Sequence, residues 1–217
     1  SSPARARRVV TRYRSTPTDG ISQALTTSNG TLIGGGLAHM FLFVLEYLCP
    51  GRLAALRDLA THFDDIHVLT LNTMKSQIEV IAPWLFAWDR GSRGRQTVTV
   101  HARDDITQID SDWREKDPIR IKMQYMSLQK NVFSLDRIHF IDDKIRDTHI
   151  KEFANVSMAI VPGEGHAHLA RPEDPSRRTL CIDFDETITP LGEDDLLLTY
   201  ILFHIHKQPG VTADALK

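Results

Sequence analysis

The feature that most constrains this chain is an alternation. Short runs rich in β-branched and aromatic residues recur at 66–71 (IHVLTL), 97–101 (TVTVH), 138–141 (IHFI), 157–161 (SMAIV) and 179–182 (TLCI). Between or before them lie stretches with apolar residues at helical spacing: 37–47, 52–62 with Leu53, Leu56 and Leu59 on one side, 77–86, and 119–132. Strands that alternate with helices predict an α/β fold, a Rossmann-like three-layer sandwich in which helices cover both faces of a parallel sheet. In such a sheet, ligands bind just beyond the carboxyl ends of the strands. The residues just past each run are therefore where function is to be sought.

At 217 residues the chain is long enough for one well-buried domain with a small appendage. Its formal net charge of −2 points to no partner by global charge. No apolar run reaches bilayer length, and the basic N-terminal stretch lacks the apolar core of a signal peptide, so a cytoplasmic protein without a membrane span is expected, a nuclear one being open. Cys49 and Cys181 stand in unrelated contexts and read as free thiols. Residues 1–36 read as a basic arm (Arg5, Arg7, Arg8, Arg12, Arg14) ending in Gly34-Gly35-Gly36, a hinge or tight turn. Residues 37–190 read as the core. Residues 191–217 read as a helical cap segment, whose run LLLTYILFHIH (196–206) is expected over the crevice or on the sheet.

The strand ends are polar. The 66–71 run delivers Thr70, followed by Asn72 and Thr73. The 138–141 run delivers Asp142-Asp143, and the 179–182 run delivers Asp183 and Asp185. Lys122 stands near the start of the helix before Ile138. Four carboxylates in one crevice repel one another and need a counter-charge. An all-oxygen, His- and Cys-free set suits magnesium, which also favours phosphate ligands. A lysine and a threonine hydroxyl beside such an ion complete a cradle for a phosphoryl group, which a carboxylate can attack.

DFDETIT (183–189) resembles the first motif, DxDx[TV], of the haloacid dehalogenase superfamily of aspartate-nucleophile phosphatases. IHVLTLNT resembles the second motif, a strand ending in Ser or Thr, and IHFIDDK the fourth, an apolar strand ending in an acidic pair. Lys122, 20 residues before Asp142, fits the third-motif lysine; Lys130, only 12 before it, is the other candidate. The resemblance covers about residues 50–187. It implies a phosphomonoesterase that uses Mg2+. Asp183 would attack phosphorus, and Asp185 would protonate the leaving alkoxide and then activate water. Thr70 would hydrogen-bond the phosphoryl group, and Lys122 would neutralise it and orient Asp183. Asp143 and Asp183 would bind the metal with the backbone carbonyl of Asp185, and Asp142 would support it. Asn72 and Thr187 are placed on the substrate side, Thr187 also bracing the loop after the nucleophile.

The order departs from that family: second, third and fourth motifs come first, and the first motif comes last. This implies a circularly permuted core with a small cap split between the two ends of the chain. Exchange of the C-terminal segment in a homodimer, with Asp183 completing a neighbour's site, meets the same order. The substrate is expected to be a small phosphorylated molecule, with a nucleic-acid end (3′-phosphate) or a phosphoprotein as alternatives. A catalytically silent binding module with the same acidic pocket is the rival from another class. A response-regulator receiver domain also combines Asp, Thr and Lys at strand ends, but lacks this DxDxT spacing. Arg90, Arg93 and Arg95 fit a solvated loop or contact with a phosphate backbone. His166 and His168 read as loop polar groups, and His204 and His206 as half-buried or interfacial.

Overall fold

The computed structural model describes residues 34–86, 97–109, 112–161, 169–190 and 194–207, with the backbone alone for 34–37, 194–196 and 204–207. In chain order the elements are α1 (Gly34–Leu48), α2 (Arg52–Ala60), β1 (Asp65–Leu69), α3 (Lys75–Phe86), β2 (Thr97–His101) and α4 (Arg103–Thr107). There follow α5 (Pro118–Leu128), β3 (Ile138–Asp142), α6 (Asp147–Glu152), β4 (Ser157–Ile160), β5 (Thr179–Ile182) and α7 (Asp194–Lys207). The five strands form one parallel sheet in the order β2-β1-β5-β3-β4. Among the described residues, no single helix is long and apolar enough to cross a membrane.

The strands are short and apolar on both faces, which suits a sheet covered twice. Ile66, Val68, Val100, Ile141, Leu180 and Ile182 point into one core, against Phe41 and Leu45 of α1, Leu56 of α2, Ile78 and Leu85 of α3, and Leu198 and Leu202 of α7. Leu69, Ile138, Phe140 and Cys181 point into the other, against Ile106 of α4 and Ile119, Met123 and Met126 of α5. α5 begins where Asp117 caps it, its carboxylate accepting from the N–H groups of Ile119 and Arg120, with Pro118 as first helical residue. Both cysteines are free and buried.

Counted from β5 as strand one, with β1 to β4 as two to five, the sheet order reads 3-2-1-4-5, the run of a doubly wound nucleotide-binding sheet. The order reverses between β5 and β3. That is the switch point, where the connections leave in opposite directions and open a crevice.

One expectation needs correction: Gly34-Gly35-Gly36 is not a hinge, since it forms the first residues of α1. Leu198, Ile201 and Leu202 of α7 are buried in the same core as Phe184 and Ile188. Of the two places expected for it, over the crevice or on the sheet, α7 takes the second, beside α1 and α3. Its apolar stripe finds more surface to bury there than over a polar opening. The arm (residues 1–33), the loop with Arg90, Arg93 and Arg95, and the His166/His168 segment lie outside the described residues, as do the side chains of His204 and His206.

Candidate functional site

Strand register explains why the acidic groups meet. Ile182 of β5 lies between Val68 of β1 and Ile141 of β3. All three point into the α1/α3 core. One residue further on, side chains turn to the other face. Asp183 and Asp142 therefore stand side by side on the face covered by α5. Asp183 extends the ladder by one bond, its N–H donating to the Ile141 carbonyl at 2.9 Å.

α5 meets them with Lys122. Ile119, Lys122, Met123 and Met126 share the inward stripe of this helix, so the lysine is buried with the apolar residues. Its Nζ donates to Asp142 Oδ2 and to Asp183 Oδ1, each at 2.7 Å. The exposure of Lys122 is 3%, against 5% for Asp183 and 0% for Asp142, so this is a desolvated clamp. Lys130 is exposed beyond the end of α5 and takes no part. Burial alone would lower the Lys122 pKa, but the Asp183 and Asp142 carboxylates outweigh it and raise the group above its usual range.

The β1 exit supplies a second set. Thr70, fully buried, donates from Oγ1 to Asp185 Oδ2 at 2.8 Å, and Asn72 Nδ2 donates to Asp185 Oδ1 at 3.0 Å. The segment is held by its own side chains: Asn72 N–H donates to Thr70 Oγ1 and Met74 N–H to Asn72 Oδ1. The Asp185 carboxylate is thus presented on two donors.

Asp143 follows Asp142 and is tied back to the β5 loop, its N–H donating to Thr187 Oγ1 at 3.0 Å. Thr187 is fully buried and ties the loop after Asp183 to the loop after Asp142. Asn72 likewise spends its side chain on Asp185 and Met74. Sequence reasoning assigns no role to Lys144 and Glu186. Lys144 Nζ lies 2.6 Å from Asp143 Oδ2 and also bonds the Glu186 carboxylate. Their only signal is adjacency: each directly follows an acidic site residue.

Carboxylate oxygens of Asp142, Asp143 and Asp183 lie within 4.8 Å of one another. Asp185 is not in this group, since its carboxylate is turned to Thr70 and Asn72. Here Lys122 serves Asp142 and Asp183, and Lys144 serves Asp143 and Glu186, while Asp185 is held by the neutral donors Thr70 and Asn72. The nearby Arg146 guanidinium is bonded to the carbonyls of Asp143 and Ile145. Negative charge is in excess among these groups. Burial pushes Asp183 well above the usual carboxylate range; Lys122 opposes this, and repulsion from Asp142 and Asp185 adds to it. Burial likewise pushes Asp143 up to about 6, against the Lys144 hydrogen bond. Carboxylates in excess of ammonium groups in a desolvated setting form an all-oxygen donor set that could hold a hard divalent cation.

Compared with models of known protein families, with curated proteins and with solved structures, the chain matches none.

Proposed function

We propose that this chain is a magnesium-dependent phosphomonoesterase in which Asp183 is the nucleophile. The observation that carries the reading is the buried clamp of Lys122 between Asp142 and Asp183 at the switch point of the sheet. Lys122 holds Asp183 Oδ1 and leaves Oδ2 outside that ion pair, so one oxygen is oriented and the other is left to attack phosphorus. A mixed anhydride forms between Asp183 and the phosphoryl group as the alkoxide leaves. Asp185, presented by Thr70 and Asn72, gives that alkoxide its proton and then takes one from the water that hydrolyses the anhydride. Thr70 turns its hydroxyl from Asp185 to the phosphoryl oxygen as Asp185 moves onto substrate. Asp143 and Asp183 would hold the magnesium ion; Asp142, whose oxygens already accept from Lys122 and from the Lys144 N–H, supports it at one remove. The ion, when bound, neutralises charge on the phosphoryl oxygens.

The same reading covers the family and the permuted order. The C-terminal strand fills the central position of a 3-2-1-4-5 sheet. α7 and α1, the last and first described helices, pack against each other. Joining the chain between them and opening it elsewhere would put the haloacid dehalogenase motifs in their usual order. The described parts of the two end segments belong to the core layer, and no cap is drawn from them.

The test is hydrolysis of an aryl phosphate with and without magnesium. Release should depend on the metal, and Asp183→Asn should lower the rate by about four orders of magnitude. A wild type with no magnesium-dependent release would leave the silent-module reading, and an unaffected Asp183→Asn would remove the nucleophile assignment.

A further inference from the structure

Lys144 carries an ammonium group that the proposed chemistry does not use. Its backbone is pinned, the N–H donating to Asp142 Oδ1 at 2.8 Å. Its side chain is 49% exposed and carries the ammonium on a flexible four-carbon stem. It ends 2.6 Å from Asp143 Oδ2, a carboxylate only 9% exposed. A magnesium ion takes a carboxylate oxygen at about 2.0–2.1 Å. An ammonium and a divalent cation on that carboxylate, in a half-desolvated setting, repel strongly. One must give way.

The structure also provides the place to which Lys144 withdraws. Glu186 stands at φ 60, the left-handed region disfavoured for a residue with a Cβ. Its N–H is held in that turn by Thr189 Oγ1 at 3.0 Å. The turn aims its carboxylate at Lys144, which it already bonds.

We propose that Lys144 is a built-in competitor for the cation at this site, released from Asp143 onto Glu186 when a divalent cation binds. The inference rests on the metal reading above. Lys144 lends the site one positive charge and so sets how weakly, and how reversibly, the cation is held. Glu186 acts mainly through Lys144, as its second partner, and also meets the Asp143 carboxylate directly.

Calorimetric titration of Mg2+ into the full chain tests this without reference to activity. Lys144→Met, and Lys144→Gln as a second variant, should bind Mg2+ about five- to tenfold more tightly than wild type. Glu186→Gln should bind about threefold more weakly, because Lys144 loses its alternative partner. In the double variant Lys144→Met/Glu186→Gln, most of the loss caused by Glu186→Gln should be gone. Two charges acting only through the general field would add instead, so a Glu186 effect that persists in full without Lys144 overturns the proposal. So does a measurable wild-type affinity that neither Lys144 variant improves. Absence of Mg2+ binding in wild type and variants alike would overturn the metal reading itself, and this inference with it.

Discussion

Two buried polar clusters lie on the same face of the sheet, and α5 contributes to both. Lys122 joins Asp142 and Asp183. Tyr125, three residues further along the helix, joins His101, which in turn meets His67: the Tyr125 hydroxyl is 2.8 Å from His101 Nδ1, and His101 Nε2 is 3.0 Å from His67 Nδ1. The second cluster is neutral. Phe133 packs against all three rings, and burial lowers the pKa of both histidines, His101 to about 4. Each partner bonds the next, from Tyr125 through His101 to His67. The first cluster is charged and incomplete: one lysine serves two carboxylates, with more carboxylates close by. A polar cluster that closes on itself stabilises the fold. One that leaves charge uncompensated at the mouth of a crevice is suited to a ligand.

Substitutions along α5 sharpen this contrast. Lys122→Met leaves Asp142 and Asp183 buried without their cation and should cost about 3–5 kcal/mol in urea unfolding. Adding Asp142→Asn and Asp183→Asn should recover much of it, because the uncompensated charge is then gone. Tyr125→Phe removes one neutral hydrogen bond and should cost about 1 kcal/mol. Equal losses at the two positions would erase the distinction.

Acid separates the clusters next. The histidines have folded values below their free value of 6.5, so the unfolded chain takes up protons that the folded chain refuses. Their contribution is present above about pH 6.5 and is lost as pH falls toward about 4, the lowered value of His101. Asp143 has the opposite sign: its value is raised to about 6 from 3.8, so the folded chain binds that proton first and gains relative stability across this window. His101→Phe should therefore flatten the acid loss of unfolding free energy, and Asp143→Asn should steepen it. An unchanged slope in His101→Phe would show that the histidine cluster is not the acid-sensitive element.

The smallest effect concerns the brace between loops. Thr187→Val leaves the Asp143 N–H without its acceptor and should cost about 1 kcal/mol. Thr187→Ser should restore most of it. A loss confined to substrate affinity, with stability unchanged, would return Thr187 to the substrate side.

Much of this is legible locally. The strands at 179–182 and 97–101 have the bounds that their residues predict. The others lie within one or two residues of expectation at either end. Spacing favours Lys122 over Lys130, and its place in the inward stripe of α5 gives the physical cause. The short helices α4 and α6 are not legible, since five or six residues carry too little periodicity to register. The neutral cluster is equally hidden. His67 and His101 look like ordinary polar positions on strands; only packing on Phe133 and Tyr125 makes them a unit.

The sequence by itself determined the fold class and the chemical character of the strand ends. Apolar runs of four to six residues demand a covered sheet, and the polar groups at each strand end are written directly after the run. Strand order belongs to the tertiary structure. Parallel strands apolar on both faces are near-equivalent partners, and nothing within DFDETIT states that the strand before it lies between β1 and β3. The pairing of Ile182 with Val68 and Ile141 is decided by which helices cover which face, across more than a hundred residues of chain in the case of Val68. That placement makes the last strand the centre of the sheet. Deleting the chain from Thr179 onward would leave most of the strand sequences in place, yet split the sheet as well as remove Asp183.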